Sequence, residues 1–76
     1  MTVKTLNQLE PGERATIVKV GGERAVRRRI LDMGVVKGAE IEAVRVAPLG
    51  DPIEFLIKGY NLSLRKSEAQ QIQVEV

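Results

Sequence analysis

The chain has 76 residues, with 12 lysines and arginines against 10 aspartates and glutamates and a formal net charge of +2. This length is enough for one domain, residues 1–76, and a domain of this size buries only about 60% of the surface that its unfolded chain exposes. The sequence has no Cys and no His, which excludes disulfide bonds, thiolate chemistry, the usual general base at neutral pH and a zinc site with sulfur or imidazole ligands.

The first predicted elements are a strand and then a helix. Arg14–Val20 is rich in β-branched side chains, which favour a strand. Residues 23–33 repeat apolar side chains at spacings of four and three, which places Val26, Ile30 and Met33 on one face of a helix. Gly34 follows where a left-handed cap is expected, and the leucines at positions 6 and 9 are predicted to cover one end of the core.

The second predicted strand, residues 40–47, changes the phase of its apolar side chains midway. Ile41 and Ala43 share one parity, whereas Val44 and Val46 share the other. Because side chains alternate between the two faces of a strand, this slip indicates a bulge or a sharp bend. Small barrels bend their strands at such corners.

The remainder of the chain alternates apolar and polar residues in short runs that are typical of half-buried strands. The predicted elements are a third strand at Ile53, Phe55 and Ile57, a tight hairpin turn at residues 58–61, a fourth strand at Leu62 and Leu64, a helical turn at residues 67–71 and a final strand at Ile72, Val74 and Val76. Five short strands, one α-helix after the first strand and a short helical turn before the last predict an all-β fold, a small β-barrel.

The sequence offers no arrangement of residues that is typical of catalysis. Ser63 and Ser67 have only Lys or Arg beside them, whereas a serine nucleophile needs an activating base. Gly21-Gly22 precedes the predicted helix but lacks the Gly-Lys-Ser/Thr sequence of a phosphate-binding loop. We therefore expect a binding module with no enzyme activity, no catalytic residue and no cofactor.

No targeting or membrane-spanning segment is predicted. Residues 1–10 have one Lys and no continuous apolar stretch. No run approaches the roughly 18 apolar residues that a membrane span requires. We expect no direct insertion into a membrane and a cytoplasmic location.

Five segments along the chain, in the right order, resemble those of the ferrous iron transport protein A (FeoA) family. They are LEPGE at residues 9–13, RILDMG at 29–34, KGAEI at 37–41, APLGDP at 47–52 and LSLRKSEA at 62–69. The resemblance implies an SH3-like barrel. It also implies an accessory or regulatory role in ferrous iron transport, with the cytoplasmic GTP-binding domain of the membrane ferrous iron transporter as the partner.

The resemblance further implies an association with transition metals, which these residues support poorly. Without Cys or His, only carboxylates such as Asp32, Asp51 or Glu54 remain as ligands, and carboxylates alone hold such ions loosely. We therefore predict no dedicated metal site.

Three surface features are candidate partner-docking sites, and each has a plain structural alternative. Arg27, Arg28 and Arg29 suit partner carboxylates, or they form a solvated helix face. Leu49, in the proline-bounded loop, is either an anchor for a partner or a cap on the barrel. Tyr60 is either a contact residue or leans on neighbouring aliphatic side chains.

Two other functions compete with docking. Small barrels often bind nucleic acid, but such sites need a concentrated basic stripe and stacking aromatic side chains. With two aromatic residues and mixed charges, we expect no nucleic-acid partner. The other alternative is a metal-responsive regulator domain, for which we predict no site tighter than about micromolar.

Overall fold

The computed structural model describes residues 2–76, which form a mostly-β fold. Its elements are β1 (Val3–Thr5), a 3₁₀ turn (Leu6–Gln8), β2 (Arg14–Val20), α1 (Arg24–Asp32), β3 (Glu40–Val46), β4 (Ile53–Ile57), β5 (Tyr60–Leu64), α2 (Lys66–Ala69) and β6 (Ile72–Glu75). The six strands form one antiparallel sheet in the order β1-β6-β2-β3-β4-β5. The all-β prediction is confirmed, with six strands in place of five.

The strand missing from the sequence prediction is β1. It has three residues and pairs with β6 through Val3 and Glu75 at one end and Thr5 and Gln73 at the other. Three residues are too few to show an alternating pattern. The 3₁₀ turn that follows leads into Leu9. The two leucines that were predicted to cover the core, at positions 6 and 9, are both buried in it.

The predicted irregularity in β3 is present. Ala43 pairs with Phe55 and Arg45 pairs with Glu54, so Val44 is the extra residue between two successive pairs. Beyond the bulge the strand faces solvent, as the exposure of its last residue shows. A second register shift, between β2 and β6, was not predicted.

The hairpin between β4 and β5 is tighter than predicted. Only Lys58 and Gly59 form the turn, whereas Tyr60 and Asn61 already belong to β5. Both turn residues have positive φ, 51° and 83°, the backbone of the two-residue type I′ hairpin that matches the twist of the strands.

Helix α1 packs its apolar face on the sheet as the spacing predicts. Ile30 is fully buried, and Val26 and Met33 pack against the core from partly buried positions. The helix is slightly shorter than the predicted residues 23–33. Gly34 has φ 93°, which confirms the left-handed cap.

The core is almost entirely aliphatic. Phe55 is its one aromatic side chain, and no charged or polar residue among residues 2–76 is buried. Polar chemistry in the described part of the chain is therefore confined to the surface.

Candidate functional site

Two of the three candidate arginines make contacts that hold the fold. The Arg27 Nε donates to the Val20 carbonyl at 3.1 Å, which ties α1 to the end of β2. The Arg29 guanidinium forms an ion pair with the Glu68 carboxylate of α2. Arg28 is exposed and makes no hydrogen bond or ion pair to any side chain or backbone group in residues 2–76.

Tyr60 is exposed, and its side chain also forms a hydrogen bond within the fold. Its hydroxyl donates to the Met33 carbonyl at the end of α1, while 44% of the residue remains accessible. A Cβ placed on Gly34 would lie 3.3 Å from the same hydroxyl. Tyr60 therefore fastens the β4–β5 hairpin to the helix terminus.

Leu49 is 96% exposed, so the interpretation that it caps the barrel is wrong. The loop that carries it, residues 47–52, is nevertheless ordered by backbone hydrogen bonds. Ala47 N donates to Pro52 O at 3.0 Å and Gly50 N to Ala47 O at 2.8 Å. The Asp51 carboxylate also accepts the N–H of Lys66, at 2.9 Å. The loop thus holds an apolar side chain in solvent.

The structure does not gather the candidate docking residues into one patch. Leu49 lies in the loop before β4, whereas Tyr60 follows the turn after β4, so strand β4 separates them by about 13 Å of extended backbone. Tyr60 also contacts the end of α1. We call α1, Tyr60 and the turn at residues 58–59 the helix end, and residues 47–52 the loop end.

The candidate metal-binding carboxylates are dispersed, and two of the three are already engaged. Glu54 accepts from Arg45 Nε at 2.6 Å and from Asn61 Nδ2 at 3.1 Å, and Asp51 is bound by a backbone N–H. Within residues 2–76, no three acidic side chains are placed to share an ion. The residues present therefore do not fit a transition-metal centre.

A groove at the helix end was missed in the sequence. Two adjoining hollows of about 550 and 340 Å³ share Arg27 and Leu31 as lining residues. The basic residues around them are Lys19, Arg24, Arg27, Arg28 and Lys37. We call this feature the basic groove. Arg27 and Arg28 were already docking candidates from the sequence, but the two lysines were not, because they are 18 positions apart and only the fold brings them to one place.

Comparison with known proteins gives a consistent match. A family model described as the FeoA domain matches residues 4–76. A curated relative, the Fe(2+) transport protein A/Fe(2+) transporter FeoB fusion protein of Porphyromonas gingivalis, is 46% identical over 71 residues. Those residues are 93% of this chain but only 8% of that relative.

Solved structures agree with the fold. A FeoA-like protein from Clostridium acetobutylicum is 48% identical with a TM-score of 0.90, over 100% of this chain and 90% of that one. The FeoA of Stenotrophomonas maltophilia, described as a procaryotic SH3 domain protein in complex with zinc, is 30% identical with a TM-score of 0.84 and covers 95% of this chain and 89% of its own. The SH3-like prediction is confirmed.

In residues 2–76, neither helix is long and apolar enough to cross a bilayer.

Proposed function

The chain belongs to the FeoA domain family, and on that premise we propose that it is a small accessory protein of ferrous iron transport. We propose further that it docks on the cytoplasmic GTP-binding domain of a membrane ferrous iron transporter. The observation that carries the proposal is the Porphyromonas gingivalis relative, in which a segment 46% identical to this chain is fused to the transporter. Fusion keeps the two modules at a high effective concentration. A separate chain instead needs a surface that binds the transporter with sufficient affinity.

Binding, and not catalysis, fits the side chains of this chain. It has no Cys and no His, and the described polar residues all lie at the surface. A protein built in this way acts through the shape and charge of its exterior. We place it in the cytoplasm, where the GTP-binding domain of its partner lies.

Leu49 is the strongest single candidate for an anchor in this complex. It is apolar and almost fully exposed, and the hydrogen bonds of residues 47–52 order its backbone before binding. Preorganisation reduces the entropy lost on association. Complete burial of a leucine side chain contributes about 2–3 kcal/mol, which is the size of an interface hot spot.

The direct test is a calorimetric titration of this protein with the purified cytoplasmic GTP-binding domain of the transporter. The titration is run without nucleotide, with GDP and with a non-hydrolysable GTP analogue. We expect saturable binding in at least one of these states. No heat of binding in all three states, together with no chemical-shift change in the labelled protein, refutes the proposal.

Two matched variants test the anchor. Leu49→Ala is expected to weaken binding at least tenfold, because it removes most of the apolar surface that the partner covers. Val3→Ala shortens another exposed apolar side chain, on the edge strand β1, and is expected to leave the affinity within twofold. Equal effects of the two substitutions would exclude Leu49 as the anchor.

A further inference from the structure

The charge of this protein is strongly polarised. The five cations of the basic groove are accompanied by one acid, Asp32, among its lining residues. The other seven lysines and arginines of the chain are outnumbered by nine acids. The groove therefore carries a formal charge of +4 and the rest of the chain −2, an asymmetry that the net charge of +2 does not show.

The cations of the groove are also free of ion pairs. None of the five forms a salt bridge within residues 2–76, whereas Lys4, Arg14, Arg29 and Arg45 elsewhere on the surface each pair with a glutamate. Unpaired like charges held close together repel one another. A ligand of opposite charge relieves that repulsion.

The position of the groove is fixed by backbone contacts of the fold. Lys19 lies in β2 and Lys37 in the connection from α1 to β3. The residue after Lys37, Gly38, donates its N–H to the Ile17 carbonyl at 2.7 Å. Arg27 fastens the helix to β2. Three separate segments thus present their charges from a rigid frame.

Leu31 adds an apolar element to the groove. It lines both hollows and is only partly buried, with the arginines of α1 around it. An apolar contact surrounded by a charged rim is the arrangement of an interface hot spot. The ligand that this combination fits carries carboxylates on either side of an apolar side chain.

We propose that the basic groove binds an acidic segment of a partner protein, with an apolar side chain on Leu31 and flanking carboxylates on the arginines. The inference rests on the proposed docking function, since it names the chemistry of a second contact with the transporter. Arginine suits this task because its planar fork binds a carboxylate through two parallel hydrogen bonds.

The same observations favour a protein segment over a membrane or a nucleic acid. The large exposed apolar residues in the described chain are Val3, Val46, Leu49, Tyr60 and Val76, and none of them lines the groove. Leu31 is partly buried, so the groove has no projecting apolar side chain to insert into a bilayer, and it has no aromatic ring to stack on a base. Its concave form suits a projecting chain better than a flat layer of headgroups.

The groove is tested by chemical-shift titration of the labelled protein with the synthetic peptide EELEE. We expect shifts centred on Leu31 and Arg27, with an affinity that falls as salt is raised. The peptide EEGEE is expected to bind at least fivefold more weakly, and KKLKK not at all. Two competing classes of ligand are tested separately: a membrane surface with phosphatidylglycerol vesicles, and a nucleic acid with a duplex DNA probe. Tighter binding of either than of EELEE would overturn the proposal.

Two charge-matched double variants provide the control. Arg24→Gln with Arg28→Gln is expected to weaken EELEE binding about tenfold. Arg14→Gln with Arg65→Gln removes the same net charge from exposed positions outside the groove and is expected to weaken it less than twofold. Equal losses would show a general charge effect and refute a dedicated groove.

The same variants separate this inference from the proposed function. If the transporter domain binds the wild-type protein and the Arg24/Arg28 double variant equally well, the groove inference fails and the docking function stands. If the transporter domain binds in no nucleotide state while EELEE binds in the groove, the docking function fails and the chemistry of the groove stands.

Discussion

The helix end and the loop end of this small sheet are ordered in different ways. At the helix end, side chains do the fastening, because Tyr60 bonds to the Met33 carbonyl and Arg27 bonds to the Val20 carbonyl. At the loop end, the ordering contacts within residues 47–52 run between backbone atoms, and one carboxylate fixes the loop to α2. Leu49 takes no part in them and stays 96% exposed.

This difference shows that an exposed residue is not always free to contact a partner. Tyr60 is an exposed residue that the fold already uses, so its substitution alters stability as well as any contact with a partner. Leu49 is exposed, placed on an ordered backbone and not used by the fold. A contribution to docking can therefore be tested apart from stability at the loop end, but not at Tyr60 at the helix end.

The largest expected contrast is between two glycines of similar backbone conformation. Gly34 at the helix end has φ 93° and Gly50 at the loop end has φ 89°. Replacing either by alanine costs about 1 kcal/mol for the left-handed backbone. A Cβ at Gly34 also lies 3.3 Å from the Tyr60 hydroxyl, whereas at Gly50 it meets nothing within 4 Å.

We therefore expect Gly34→Ala to lower the free energy of unfolding by about 2 kcal/mol and Gly50→Ala by about 1 kcal/mol. Urea unfolding of both variants at neutral pH measures the difference. Equal losses would mean that the Tyr60 side chain moves aside for the added Cβ at no cost in stability.

A smaller contrast is expected between the two exposed apolar residues themselves. Tyr60→Phe removes the hydrogen bond to Met33 and is expected to cost about 0.5–1 kcal/mol, the usual net value of such a bond. Leu49→Ala is expected to change the free energy of unfolding by less than about 0.5 kcal/mol, as for other fully exposed side chains. A loss above about 1 kcal/mol for Leu49→Ala would show that the loop end supports the core.

Features that depend on local patterns could be predicted from the sequence. The change of phase between Ala43 and Val44 predicted the bulge in β3 because the alternation of side chains reports directly on the two faces of a strand. The cap at Gly34 followed from the end of the apolar repeat in α1. The SH3-like fold followed from the ordered segments that resemble the FeoA family.

Features that depend on contacts between distant segments could not be predicted. The basic groove includes Lys19 and Lys37, and backbone hydrogen bonds between β2 and the connection from α1 to β3 bring them together. The exposure of Leu49 depends on hydrogen bonds across its own loop, which composition does not encode. The hydrogen bond from Arg27 Nε to the Val20 carbonyl was not predicted either, because no side-chain pattern reveals a backbone acceptor.

The smallest expected effect on stability comes from Glu13, which lies outside both the helix end and the loop end. The Glu10 N–H donates to the Glu13 carboxylate at 3.0 Å, and the Lys4 ammonium lies 3.1 Å from it, so the pKa of Glu13 is lowered from its ordinary value. A carboxyl whose pKa is lower in the folded state stabilises the fold above its ordinary pKa. That contribution is lost as the pH falls through the folded-state value.

Glu13→Gln is therefore expected to lower the urea midpoint slightly at pH 7 and by less as the pH is lowered, so that the stability of the variant falls less steeply on acidification. Glu10→Gln is the matched control, because the Glu10 side chain forms no ion pair within residues 2–76. Urea midpoints at half-unit steps between pH 3 and pH 7 compare the three proteins. Identical slopes for wild type and Glu13→Gln would show that the contacts of the Glu13 carboxylate with Glu10 and Lys4 do not stabilise the fold.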